Sequence, residues 1–373
     1  MAYLSGRENA AIEQVLQSGD FGSEGFFAKK CEAQLCQITG AKNLVLTPSC
    51  TDALEMAALL CDIAPGDEVV MPSFTFVSSA NPFVLRGARI IFADIDPRTM
   101  NLDPGCVEKA ISEKTKAVVV THYGGVAAGM EKFAQLAEKH GLWLIEDAAH
   151  CIGATWKGRH LGTVGHLGAL SFHSSKNVHC AEGGALLVND ERLAERSAIL
   201  RDKGTNRDQF LSGQVGQYTW VDVGSSFTLS ELNAAFLSAQ LEDLEKVNAR
   251  RLQIWNLYAQ ELEELAHEGF IELAVLPADI QHNAHVFFLK CRSRVERESL
   301  IHFLSANGVD ARFHYIPLHT APAGLKYGRF SGEDKFTTRD SERFLRLPIY
   351  PNLDDSTVRR IAALIHFFFT KTS

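Results

Sequence analysis

From residue 43 to residue 175 the chain alternates short β-rich runs with stretches whose apolar residues recur every three or four positions, and one more β-rich run follows. Residues 43–47, 68–71, 89–93, 117–121, 142–145 and 185–188 read as strands. Residues 51–61 and 128–140 read as helices, and in the first of these Leu54, Ala57, Ala58 and Cys61 share one face. Pro65-Gly66-Asp67 marks a turn just before one of the strands. Strands alternating with helices predict an α/β fold whose large, mainly parallel sheet is covered on both faces.

The pattern changes after about residue 225. Residues 229–265 read as one or two long helices, with Ala234, Leu237, Leu241 and Leu244 at helical spacing. Residues 284–290 read as a strand, 297–307 as a helix, and the apolar tail as a terminal helix. A chain of 373 residues exceeds what one core usually serves. The expected division is a large domain over 1–245 and a smaller α+β domain over 246–373.

Composition narrows the function. The net charge of −8 speaks against nucleic acid or an acidic membrane as the main partner. No stretch of 18 apolar residues is present, and residues 1–7 lack the order of a secretory leader. Eight scattered cysteines with no C-x-x-C pair read as reduced thiols, so a cytoplasmic protein is expected. The 14 histidines show no H-E-x-x-H spacing, and no metal site is expected. Residues 124–129 make a poor dinucleotide fingerprint, and no P-loop exists.

In an open α/β sheet, ligands sit beyond the C-terminal strand ends. Ser49-Cys50-Thr51-Asp52 lies between a strand and a helix, where free N–H groups and the helix dipole suit a phosphate. A plain N-cap would use the same residues. Phe76 follows a strand and could lie on an aromatic cofactor or sit in the core. Asp147 ends an apolar strand, where a carboxylate needs a partner or serves as a cap. Lys176 follows a further strand-like run, flanked by Ser171, Ser174 and Ser175, with Gly183-Gly184 allowing close backbone approach nearby. An acid for a pyridine nitrogen and a lysine for a Schiff base are the two groups that pyridoxal phosphate chemistry needs. The basic loop 201–207 could reach an anionic substrate or be solvated.

These segments resemble those of the sugar-nucleotide aminotransferases of fold type I, which use pyridoxal phosphate. The resemblance runs from Gly19 to about Asn352 and rests on four motifs. These are Ser49-Cys50-Thr51-Asp52-Ala53-Leu54, Pro72-Ser73-Phe74-Thr75-Phe76, Glu146-Asp147-Ala148-Ala149-His150, and 171–177 with Glu182-Gly183-Gly184 following. It implies an aspartate-aminotransferase-like fold, Lys176 as Schiff-base lysine and proton carrier, Asp147 on the ring nitrogen and Phe76 on the ring face. It further implies that Thr51, Asp52 and Ser171 hold the cofactor phosphate, with Ser49 and Cys50 also among the cofactor-binding residues. His150 stands where many relatives have a glutamine beside the ring. Ser226 stands where many have an asparagine given by the partner subunit. Arg207, His314, Tyr315 and His319 would approach the nucleotide-sugar. A homodimer with its site at the interface, and L-glutamate as amino donor, are the further implications.

Overall fold

The computed structural model describes residues 3–371. Met1 and Ala2, part of the stretch read for a leader, and Thr372 and Ser373 lie outside the described residues. Two helices open the chain, α1 (Glu8–Ser18) and α2 (Phe26–Thr39), followed by β1 (Asn43–Thr47) and α3 (Cys50–Leu60). Then come β2 (Glu68–Pro72), β3 (Arg89–Ala93), β4 (Thr115–Thr121), α4 (Met130–His140), β5 (Trp143–Asp147), β6 (Leu167–Ser171) and β7 (Gly184–Val188). The second part holds α5 (Glu231–Leu241), α6 (Leu244–His267), β8 (Ile271–Leu273), β9 (Phe287–Cys291) and α7 (Arg294–Ala306). It closes with β10 (Gly328–Phe330), β11 (Phe344–Leu347) and α8 (Asp355–Lys371).

The large sheet has eight strands in the order β1-β7-β6-β5-β4-β2-β3-β10. Only β7 runs against its neighbours, pairing antiparallel with both β1 and β6. The strands are apolar on both sides because both faces are covered. Val69, Met71, Ile90, Phe92, Ala117 and Val119 enter one core, whereas Val70, Ile91, Ala93, Val118 and Val120 enter another. The α/β architecture read from the pattern is therefore present.

The small part is a three-stranded antiparallel sheet, β8-β9-β11, packed with α6, α7 and α8 around Ile254, Tyr258, Phe287, Leu300 and Ile365. Residues 229–265 hold two helices, interrupted at 242–243, one of the two arrangements expected. Two details differ from expectation. The strand expected from 284 begins at Phe287, because Ala284 has a left-handed φ of 50° and the Arg251 guanidinium takes the carbonyls of Ala284 and His285 at 3.1 and 2.6 Å. Helix α7 starts three residues before 297, capped by Ser293, whose Oγ accepts the Glu296 N–H at 3.2 Å. In addition β10, from within the expected second domain, completes the edge of the large sheet beside β3.

Candidate active site

Strands β1 to β6 point the same way, so their C-terminal ends share one edge, and β7 begins there. A cavity of about 680 Å³ opens at that edge. Ser49, Cys50, Thr51, Phe76, Asp147, His150, Ser171, Lys176, His314 and Tyr315 line it.

The anion-ready corner is the start of α3. Ser49 caps the helix, its Oγ accepting the Asp52 N–H at 3.1 Å and donating to the Asp52 carboxylate at 2.7 Å. Thr51 Oγ1 donates to Ser78 at 2.9 Å. Gly184, paired with both Thr47 and Ser171, lets this helix start approach β7: a Cβ there would lie 2.4 Å from the Cys50 nitrogen.

Asp147 is buried at the end of β5. Ser79 Oγ donates to its Oδ2 at 2.5 Å, and the Ala149 N–H to its Oδ1 at 3.2 Å. Ser79 is in turn bonded to Thr75 at 2.7 Å, and Thr75 to Thr121 at 3.0 Å. Ser79 spends its only proton on the carboxylate, so Thr75 donates to Ser79 and Thr121 to Thr75. Among the described residues no lysine or arginine nitrogen lies within 4 Å of the carboxylate.

Lys176 sits in the turn after β6, its N–H bonded to the His173 carbonyl at 2.9 Å. Its ammonium has no carboxylate within 4 Å among the described residues. Burial pushes its pKa below the ordinary lysine value, opposed by Cys50 and Asp147 and helped by Arg346. A lysine of this kind presents more free amine near neutrality, as a nucleophile must.

Three histidine rings complete the wall. His150 stacks on His285 with centroids 4.2 Å apart, and its Nδ1 accepts the Gly124 N–H at 3.2 Å. Asn177 donates to Asn248 and Asn283, so its carbonyl accepts from His285 Nδ1, at 2.9 Å. His314 stacks on Tyr315 at 3.6 Å and meets the Tyr123 hydroxyl at 2.9 Å. Burial drives all three rings toward neutrality, His314 down to about 3.

Residues 3–366 match the DegT/DnrJ/EryC1/StrS aminotransferase family. The chain belongs to this family. Solved structures agree. TlmJ, an aminotransferase from Streptoalloteichus hindustanus, is 30% identical, covers 100% of this chain and 98% of its own, and superposes with a TM-score of 0.91. DesV from S. venezuelae, solved with a ketimine intermediate, is 32% identical over 97% of this chain and 94% of its own, at 0.88. A family member from Brucella abortus is 30% identical over 97% and 95%, at 0.89. The protein is thus an aminotransferase dependent on pyridoxal phosphate.

The cavity of the aminotransferase fits that cofactor. It offers a helix start for a phosphate, a carboxylate without a basic side chain for a protonated ring nitrogen, and an unpaired lysine for the aldehyde. Four expected residues do not line the cavity. Asp52 is turned into the Ser49 cap. Arg207 lies in an ion-pair cluster, 2.7 Å from Glu24, within which Glu24 also pairs with Arg201. Ser226 is exposed on a bridge with Asp202. His319 is held between Ser73, at 2.7 Å, and Asp334, at 3.1 Å. The cavity also holds residues the sequence did not single out: Thr75, Thr121, Arg251, His285 and Arg346, with Ser79 bonded just behind Asp147. Thr75 left a trace as a member of the Pro72–Phe76 motif, and Thr121 as a hydroxyl at a strand end.

Proposed function

We propose that the aminotransferase moves the amino group of L-glutamate to the 4-keto carbon of dTDP-4-dehydro-6-deoxy-D-glucose. The products are dTDP-4-amino-4,6-dideoxy-D-galactose and 2-oxoglutarate, a step toward surface polysaccharide such as enterobacterial common antigen. The observation that carries the reading is an unpaired, partly desolvated Lys176 in one cavity with Asp147, rimmed by His314 and Tyr315. Support for this sugar comes from Lys203-Gly204-Thr205-Asn206-Arg207, Tyr218-Thr219-Trp220 and 313–319, which resemble the transaminase that makes it.

When bound, pyridoxal phosphate supplies an aldehyde carbon and an electron-withdrawing ring. The chain supplies the rest. The α3 start would bind the phosphate, Asp147 would hold negative charge for the ring nitrogen, and Phe76 would pack on the ring. Lys176 Nζ would hold the aldehyde and serve as the acid and base of the transfer. In this reading the protein acts as a cytoplasmic homodimer, and Arg207, Ser226 and His319, outside their own cavity, serve that of the partner.

A second reading keeps the reaction and changes the sugar. Residues 177–181 are one residue shorter than in the transaminase named above and nearer to an aminotransferase of a UDP-linked 4-keto pentose. Turnover on a panel of dTDP-, UDP- and GDP-linked 4-keto sugars with L-glutamate separates the two. Lys176→Ala is expected to abolish turnover on every panel member. A Lys176→Ala protein that transaminates normally would overturn the mechanism.

A further inference from the structure

Arg346 lies on β11 and lines the cavity together with Lys176 and His314. Its Nε is buried with no hydrogen-bond partner. Two other arginines share that defect, and both have acids: Arg201 lies 2.7 Å from Asp208, and Arg297 3.3 Å from Glu298. The guanidinium of Arg346 has no carboxylate within 4 Å among the described residues. A backbone bridge brings Arg312 beside it, with N–H to carbonyl distances of 3.2 and 2.7 Å. Arg312 is clamped by Asp310 through two bonds of 2.8 Å. The fold therefore answers one arginine of this pair and leaves the other open.

A buried N–H left without a partner, on a guanidinium without a counter-charge, is costly, and an unfilled ligand seat is one reason it persists. None of the groups around it serves as its counter-ion, and Asp147, which lines the same cavity, is not within 4 Å of it. His150, His285 and His314 are neutral rings, Asp310 is occupied, and Glu182 faces His173 at 3.5 Å.

We propose that Arg346 is the seat for a carboxylate of the amino donor. The inference deepens the transamination reading and rests on it. A carboxylate bonded to the carbon that yields the amine must be held within the same cavity as Lys176. A planar guanidinium offers it two parallel N–H bonds. The cofactor phosphate has its own seat at the α3 start, on the large sheet. In a 4-keto sugar nucleotide the diphosphate sits across the ring from the reacting carbon, so it lies farther from the lysine.

The test uses cofactor-loaded wild type, Arg346→Gln and Arg346→Lys. Binding of glutarate, a dicarboxylate with no amine to react, is measured by calorimetry. KM is measured separately for L-glutamate and for the keto-sugar nucleotide. Arg346→Gln is expected to weaken glutarate and raise the KM for L-glutamate by about 30- to 100-fold. The KM for the nucleotide sugar should stay within about threefold, and Arg346→Lys should recover part of the loss. Unchanged glutarate binding overturns the proposal. So does a loss confined to the nucleotide sugar, which marks a diphosphate seat, or a loss of cofactor retention, which marks a phosphate seat. A wild type that binds glutarate yet transaminates no keto sugar refutes the function reading and leaves the seat standing.

Discussion

Three neutral histidines beside a lysine and an open arginine give the cavity a definite response to acid. Histidine ordinarily titrates near 6.5, whereas His314 is pushed down to about 3. Between those values the unfolded chain binds a proton that the folded protein does not. Stability therefore falls as pH drops through this window, by about 1.4 kcal/mol per pH unit for each such ring. His314→Gln is expected to remove about 2 kcal/mol of the loss between about pH 6.5 and 5, measured by thermal melting across that range. An identical slope in the variant would refute the assignment. At this scale the sequence was legible where a residue follows its own apolar run, as Asp147 and Lys176 do. Ser79 and Arg346 were not, because their meaning lies in partners, or the lack of them, far away in the chain. Ser79 meets an acid 68 positions later, and nothing near Arg346 in sequence shows that its acid is missing.

Among the elements, the junction of β7 with the start of α3 positions the corner proposed for the cofactor phosphate. A methyl group at Gly184 would press on the backbone of both Ser49 and Cys50 at 2.4 Å. Gly184→Ala is expected to shift the helix start, costing about 1–3 kcal/mol of stability and weakening cofactor retention by about tenfold or more. Melting temperature and a cofactor titration check this, and a variant unchanged in both would show that the corner yields freely. The periodicity revealed the strands well, since runs such as 117–121 are apolar on both sides and match few other elements. It placed the strand at 284 too early, because alternation cannot reveal that Arg251 holds two carbonyls of that run. It missed the start of α7 although Ser293 and Glu296 carry a capping signature.

The whole molecule is tied together more firmly than a division near residue 245 suggests. Asp94, just past β3, accepts from Thr337 N–H at 2.8 Å, Thr337 Oγ1 at 2.6 Å, Phe336 N–H at 3.0 Å and Lys335 N–H at 3.1 Å. Phe74 and Tyr123 from the large part share a core with Phe288 and Phe344 from the small one. Asp94→Ala leaves several buried donors unanswered and is expected to cost about 3 kcal/mol or more. Urea unfolding followed by fluorescence would read this as a lower midpoint, and a shift under about 0.5 kcal/mol would count against it. These ties join residues more than 160 positions apart, which composition and local pattern do not encode.

The stretch from 312 to 330, which carries His314 and Tyr315, is fastened along its length. Arg312 bridges Arg346, His314 meets Tyr123, the Leu318 N–H bonds the Ser73 carbonyl at 2.9 Å, and β10 lies in the large sheet. This part of the cavity rim, which the proposed function turns toward the sugar, is consequently held in place by the fold itself. A sugar that docks against these stacked rings need not freeze a loose loop, and more of its contact energy remains as affinity. The same fastening restricts choice: a sugar of another shape meets a wall that does not move aside to admit it.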